Sequence, residues 1–300
     1  MIRMTVKTET SQWTRYELQI ALLDGLFQTQ KKTAHAELKL RQIDSYYDWH
    51  YQDKLYPKAI HLQLRAPYSL GVEEETVLLS LLYLAEQSGE FQPVTKLDDV
   101  PLLLEPDGMA QDKSVGVVWT TRYALLKIDH MDDSRYNYQR LNQYLKQLSQ
   151  IWVYYHNSVS HWEGSDWFLR YRFNPQTDRL LVQINWRLAG AVFGPYLTAY
   201  VSLDERHQLK TQGGKTLHRW LSAHVWPGKT RTLRYETLLR HIWPENTTTS
   251  GTQRIRLHRL KTIIIPDLSK LSHWNLTTLS TKVSVSRQSE QQTLKTSVTS

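Results

Sequence analysis

The chain has 300 residues, 40% of them hydrophobic, a formal net charge of +8 and no cysteine. That length suffices for two ordinary cores, and the absence of cysteine excludes a disulfide framework or a thiolate metal site and fits a cytoplasmic location. Apolar runs are short, as in Ile20-Ala21-Leu22-Leu23, and none reaches the roughly 18 residues of a membrane helix, so a soluble, unexported protein without membrane contact is expected.

Residues 1–56 are rich in aromatic and polar side chains, as in Tyr46-Tyr47-Asp48-Trp49-His50-Tyr51, with a basic polar run over 28–39. They read as an N-terminal extension of uncertain structure. Ala59-Ile60-His61-Leu62-Gln63-Leu64 alternates with period two and predicts a strand, followed by the breakers Pro67 and Gly71. Residues 73–87 predict a helix. Acids fill its first turn, where the macrodipole favours them, and Val77, Leu78, Leu81, Leu82, Leu84 and Ala85 form its buried stripe. Gly89 ends it. Pro93, Pro101 and Pro106 make strand or loop the expectation up to Gly116, with an apolar run over 100–104.

A short helix is predicted over 122–128, then a polar turn over 129–134 and a helix over 135–149. In the latter, Tyr138, Leu141, Leu145 and Leu148 turn to the core, and Arg135, Gln139, Asn142, Gln143 and Lys146 lie opposite. Strands are predicted over 151–155, 167–173 and 180–184, separated by Gly164 and Asn174-Pro175. Helix, turn, helix, strand ribbon is the order of a winged helix, and residues 57–200 are expected to form one.

The order recurs downstream. Gly213-Gly214 precede a helix over 215–225, Trp226-Pro227-Gly228-Lys229 makes a turn, and a helix over 233–242 stops at Trp243-Pro244. A run rich in capping Thr and Ser leads into a helix over 252–265 that Pro266 is expected to end. Residues 274–278 and 282–286 suit a hairpin. The expected fold class is therefore α+β, two tandem winged-helix domains, the second over 201–287. The Ser, Thr and Gln of 288–300 have little to bury and suggest a disordered tail.

Charge is concentrated in this second half. Between Arg206 and Lys261, twelve Lys and Arg face only Glu236 and Glu245, an excess greater than that of the whole chain. Such a segment is the footprint of a phosphate-binding face, the alternative being a solvated basic surface. At 100° per residue, Leu257, Leu260 and Ile264 share one helix face, while Arg254, Ile255, His258, Arg259 and Thr262 look outward and Arg256 and Lys261 flank the stripe. A solvated amphipathic helix usually balances its bases with acids at i+4, and no acid stands between Glu245 and Asp267. An arginine-laden helix, third in its unit, suits the DNA major groove. There Arg pairs with guanine while neighbouring bases hold phosphates. Candidate DNA contacts are thus Thr252, Arg254, Arg256, His258, Arg259 and Lys261, with Lys229 and Arg231 nearby. The line Arg135, Gln139, Gln143 on the earlier helix is a second candidate reader, with a water-facing surface or a protomer interface involving Tyr136, Tyr138 and Tyr144 as alternatives.

Catalytic motifs are not found. Gly213-Gly214-Lys215-Thr216 imitates the end of a phosphate loop, but the glycine that motif requires five residues before Gly214 is Leu209. His156/His161 and His218/His224 lack metal-ligand spacing, and no Gly-x-Ser-x-Gly elbow occurs. No catalytic residue, cofactor or metal is expected. Strand transfer by a tyrosine nucleophile is the less favoured enzymatic alternative.

Several segments in combination resemble a known family. They are Ser202-Leu203-Asp204-Glu205, Lys215-Thr216-Leu217-His218 with Leu221, Pro227-Gly228-Lys229-Thr230, Trp243-Pro244, Thr252 with Arg254, Arg256 and Arg259, and Pro266-Asp267-Leu268. Together they look like the C-terminal half of the IncQ-type plasmid replication initiator, the RepC-like iteron-binding protein. Leu70-Gly71, Tyr123-Ala124-Leu125 and Ile151-Trp152 agree more loosely, so the resemblance spans about 60–287. It implies two winged-helix domains that bind directly repeated origin sequences in double-stranded DNA. The implied partners are a plasmid-encoded helicase and primase, with a homodimer possible. A transcriptional repressor of the same fold is the alternative; it would need a palindromic site.

Overall fold

A computed structural model describes residues 12–23, 25–29, 43–49, 60–66, 70–88, 90–93, 114–157, 162–193, 198–244 and 249–289. In chain order the elements are β1 (Trp13–Glu17), α1 (Leu18–Leu22), β2 (Phe27–Gln28), β3 (Ile43–Trp49), β4 (Ile60–Ala66), β5 (Leu70–Gly71), α2 (Val72–Ser88), β6 (Glu90–Pro93), β7 (Ser114–Thr121), α3 (Arg122–Ile128) and α4 (Arg135–Leu148). Next come β8 (Trp152–Asn157), β9 (Trp162–Trp167), β10 (Leu169–Asn174), β11 (Arg179–Ile184), α5 (Trp186–Phe193), β12 (Thr198–Ser202), α6 (Leu203–Gln208) and α7 (Gln212–His224). The chain closes with β13 (Thr230–Arg234), α8 (Tyr235–Ile242), α9 (Ser250–Arg259), a π-helical turn (Leu260–Ile264), α10 (Ile265–Leu268), β14 (Trp274–Thr278) and β15 (Lys282–Arg287). The α+β class is as expected. The apolar run over 100–104, Gly89 and the tail from 290 onward lie outside the described residues.

One plan appears twice. In the first unit α2, β7, α3, α4 and the hairpin β10–β11 occur in that order, with β6 after α2 and β8 and β9 after α4, and β7 pairs antiparallel with β11, the hairpin's second strand. In the second unit α7, β13, α8, α9 and the hairpin β14–β15 follow one another, and β13 again pairs with the second hairpin strand. Buried apolar side chains form two clusters. One gathers α2, α4, α5 and the β7–β11 sheet with β1 and α1, and the other gathers α7, α8, the α9–α10 stem and the β13–β15–β14 sheet. Helix starts follow local chemistry: Thr121, Ser134, Thr211 and Thr249 each accept a backbone N–H from the first turn of α3, α4, α7 and α9.

Several expectations need correction. Residues 12–28 and 43–49 do not stand apart as an extension. Strand β1 pairs with β12 in register from Trp13↔Ser202 to Glu17↔Thr198, and Tyr16 is fully buried. The Gln12 N–H donates to Asp204, 192 residues away, at 2.7 Å, a partner that no local pattern reveals. Strand β8 belongs to a separate β3–β4–β8–β9 sheet, with Gly164 inside β9, so the first unit's hairpin is β10–β11 instead. The strand predicted over 167–173 breaks at Phe168, whose N–H turns to the Ile151 carbonyl. Leu233 and Arg234 are strand, paired with Val283 and Lys282, so α8 starts two residues later than expected. Helix α5 and strand β12 were not anticipated.

The α9 stem also runs past Pro266. A proline inside a helix lacks an N–H and its ring collides with the carbonyl four residues back. Here the preceding turn widens to π geometry, with the Ile265 N–H donating to the Leu260 carbonyl, and the helix continues to Leu268. Continuation places Asp267 where its buried carboxylate accepts from the N–H groups of Lys210 and Thr211, at 3.0 and 3.1 Å, at the start of α7. The glycine pair has a packing role in this arrangement. A Cβ on Gly213 would sit 2.6 Å from Ile264 Cδ1 and 3.3 Å from Ile242 Cγ2. Gly213→Val is therefore expected to lower stability by about 1–3 kcal/mol through overpacking, read as a lower thermal unfolding midpoint. An unchanged midpoint would show that the stem yields freely.

Candidate nucleic-acid interface

Helix α9 has the predicted polarity. Leu260 and Ile264 are buried and Leu257 half-buried, while Arg254, Ile255, His258, Arg259 and Thr262 are exposed. Ile255 is 63% exposed, a large apolar side chain set among cations on the outer face. Arg256 lies over the Trp243 ring at 5.5 Å and Lys261 over the Tyr235 ring at 4.5 Å, both half-buried. The aromatic neighbours hold these two side chains along the flanks of the helix. Thr252 has a capping part to play, its N–H donating to Thr249 Oγ1 at 3.4 Å with the two hydroxyls 3.1 Å apart.

The hairpin tip is tied to the start of α8. Tyr235 Oη donates to the Leu279 carbonyl at 2.8 Å, so the ring that carries Lys261 also anchors the β14–β15 turn. At that end of the sheet Arg234 pairs across from Lys282, and both are exposed. Of these two, Lys282 lies on the expected 282–286 hairpin strand, but Arg234, expected in a helix, was missed. The signal that would have found it is the strand register, which needs the fold. Lys229 is exposed at the opposite end of β13, where its carbonyl accepts from the Arg287 N–H, and exposed Arg231 lies between. The structure thus brings Arg254, His258, Arg259, Arg256 and Lys261 onto one helix and separates Lys229 from the hairpin tip. Two cations of the basic segment are not on any surface: Arg206 and Arg219 are completely buried.

The first unit repeats the arrangement with different chemistry. On α4, Arg135, Gln139, Gln143, Asn142 and Lys146 are exposed and Leu141, Leu145 and Leu148 buried. Tyr138 is only half-buried, against the expected core position. Tyr136 is 64% exposed, and Arg140 reaches Tyr144 Oη at 2.7 Å, which occupies part of that face internally. The β10–β11 turn is clasped by Arg122, whose guanidinium meets Asp178 at 2.8 Å and lies 3.9 Å from the centre of the Phe173 ring.

Two buried acids brace the helices behind these faces. Burial alone would raise the Glu205 carboxyl, but hydrogen bonds from His218, Trp274 and His273 outweigh it and hold the pKa at about 2. That carboxylate joins α6, α7 and the start of β14. Asp129, at the end of α3, accepts from Ser80 Oγ on α2. Burial raises its pKa to about 7, against the lowering effects of Ser80, Lys215 and Arg206, and Glu73 adds to the rise. The folded protein then keeps a proton that an unfolded aspartate, titrating near 3.9, has lost. Asp129 should accordingly contribute stability that is lost as pH rises from about 4 to about 7, with Asp166 acting in the same sense and His207, His218 and His224, held low mainly by burial, in the opposite sense. Urea unfolding across that range checks this, with Asp129→Asn expected to lose less stability than the parent chain as pH rises. An Asn variant with the same slope would assign it to another group.

The architecture defines an α+β class in which one helix–strand–helix–helix–hairpin plan occurs twice, each time leaving a polar helix exposed beside a hairpin. Within that class the chain belongs to the RepC family: the family described as Replication protein C (RepC) matches residues 9–288. It is a DNA replication initiation protein. No curated protein sequence matches the chain. Among solved structures, domains 2–3 of RctB (residues 155–483 of that protein) are similar with a TM-score of 0.50 at 11% identity, over 93% of this chain and 99% of that one. A selenomethionine form of RctB domains 2 and 3 matches with a TM-score of 0.46 at 11% identity, over 91% of this chain and 98% of that one. At such identity the likeness to the first is one of fold. No helix among the described residues is long and apolar enough to cross a membrane.

Proposed function

We propose that this replication protein recognises directly repeated origin sequences in duplex DNA through two winged-helix domains, residues 57–200 and 201–287, without catalysis of its own. The observation that carries the reading is α9: a capped helix with Arg254, His258 and Arg259 exposed, no acid in its stretch, and a hairpin anchored alongside. Such a helix enters the major groove with its arginines at base edges, and the hairpin, with Lys282 and Arg234, lies on the phosphates. Helix α4 reads a second segment of the same repeat with Arg135, Gln139 and Gln143, Gln being suited to adenine. The recurrence of one topology in both halves supports this pairing of readers. Filling an array of repeats bends the duplex, and the deformation helps to open an adjacent A·T-rich segment for a plasmid helicase and primase.

A gel-shift titration on direct repeats from its own replicon and on scrambled DNA, at two salt concentrations, tests the reading. Preference for repeats that survives the higher salt is the expected result. Equal, salt-labile binding to both duplexes would reduce the protein to a non-specific phosphate binder. Footprints over a palindrome with a stable dimer would indicate a repressor instead, and nicking of supercoiled plasmid with metal would indicate strand transfer.

A further inference from the structure

The exposed helices α4 and α9 sit in different units, yet a charge cluster without access to solvent joins the two. Glu75, in the first turn of α2, forms ion pairs with Arg206 of α6 at 2.9 Å and with Arg219 of α7 at 3.0 Å, and all three side chains are 0% exposed. Arg206 uses its whole fork. Nε donates to Thr76 Oγ1 and Nη2 to the Val72 carbonyl, both at 2.9 Å on α2, while Nη1 donates to the Lys215 carbonyl on α7 at 3.1 Å. Arg219 Nη1 donates to the carbonyls of Ile20, Ala21 and Leu23 at 3.3, 3.0 and 3.0 Å, closing the C-terminus of α1. Two guanidinium groups against one carboxylate leave an excess of positive charge, and the α1 carbonyls present the negative end of a helix to it.

This cluster stands in the middle of a continuous path of packed elements. Helix α4 packs on α2, α2 meets α6 and α7 through the cluster, and α7 touches the π turn of the α9 stem at Gly213 and Ile264. A planar guanidinium fork constrains direction as well as distance, and buried ions have few alternative partners. Buried ion pairs often contribute little net stability compared with well-packed apolar groups. What such a cluster does supply is one defined geometry between the elements that meet at it.

We infer that Glu75, Arg206 and Arg219 are positioning residues that fix the angle between α4 and α9, and thereby set the number of base pairs between the two DNA segments read within one repeat. The DNA half of this inference rests on the two-helix reading under Proposed function; the rigid angle does not. The absence of cysteine from the sequence allows clean spin labelling at exposed Asn142 on α4 and Gln253 on α9 through Asn142→Cys and Gln253→Cys. A single narrow distance distribution is expected in the otherwise unchanged chain. It should broaden in Glu75→Gln and in Arg206→Lys, which keeps the charge and loses the planar fork, the latter retained in case the former does not fold. A broad distribution in the parent chain, or an equally narrow one in a folded variant, overturns the inference.

Repeats with two base pairs inserted between the segments rotate the second site by about 70°. The parent protein should lose roughly 100-fold in affinity, the scale set by losing one of two linked contacts, and the variants less than about 10-fold. Equal penalties in parent and variant overturn the role in spacing even where the distances broaden. Failure of the parent to prefer repeats at all counts against the function instead and leaves the distance measurement standing.

Discussion

Replacing Arg254 and Arg259 together by alanine is expected to weaken binding to the repeat by about 2–5 kcal/mol while leaving the unfolding midpoint nearly unchanged. Both side chains are exposed on α9, and surface substitutions of this kind alter stability by about 0.5 kcal/mol or less. Each arginine that pairs bidentately with a guanine is worth about 1–3 kcal/mol of discrimination. Loss of base preference at one position per arginine is the signature of base reading. A uniform loss on all sequences, with the salt dependence lowered by about one unit of slope for each residue, would make them phosphate contacts. Arg256 and Lys261 should behave differently, since each lies against an aromatic ring that limits its reach to the helix flank. Their replacement is expected to lower affinity without altering sequence preference. Competition titrations with single-base variants of the repeat distinguish the two patterns.

Arg219→Ala is expected to have the larger effect on the fold, about 2–5 kcal/mol of lost stability from the cavity and the carbonyls left without a donor. The substitution leaves Glu75 with Arg206 as its remaining ion-pair partner and takes a shared donor from three carbonyls at the end of α1. Against the roughly 5–15 kcal/mol that stabilises a typical domain, such a loss is a large fraction. Chemical unfolding measures it directly. A loss below about 1 kcal/mol would mean that water reaches the site readily once the side chain is gone. By contrast, Glu75→Leu/Arg206→Met leaves Arg219 buried without a counterion and should cost more than Arg219→Ala, which keeps the Glu75–Arg206 pair. The sign of that difference separates an electrostatic role from simple space filling.

Much of α9 was legible in the sequence because its information is local. The outward set Arg254, Ile255, His258, Arg259 and Thr262 follows from the 3.6-residue period and the missing acids from a count, while the start lies at Ser250, two residues before the expected 252, with Thr249 as its cap. Helix α3 matched its expected bounds, and α4 fell one residue short of them. Where local rules misjudged, a distant partner was responsible. Pro266 reads as a stop, and it is carried through by a π turn because Ile264 must pack on Gly213 and Asp267 must reach the start of α7.

The same limit applies to charge. Glu75 looks like one of three acids placed to suit the helix macrodipole, and Arg206 and Arg219 look like members of a phosphate-binding segment. In the folded chain the three pair with one another out of solvent, and the basic surface is correspondingly smaller than the sequence count. Composition, periodicity and capping by themselves determined the α+β class, the polar faces of α4 and α9 and the lack of recognisable catalytic motifs. Only the tertiary structure decided that the N-terminal strand completes the core against β12, which hairpin accompanies α4, and which cations are free to meet a phosphate. The reason is physical: a side chain's periodic neighbours lie within one or two helical turns, whereas its pairing partner and its exposure depend on segments that meet only after the chain has folded.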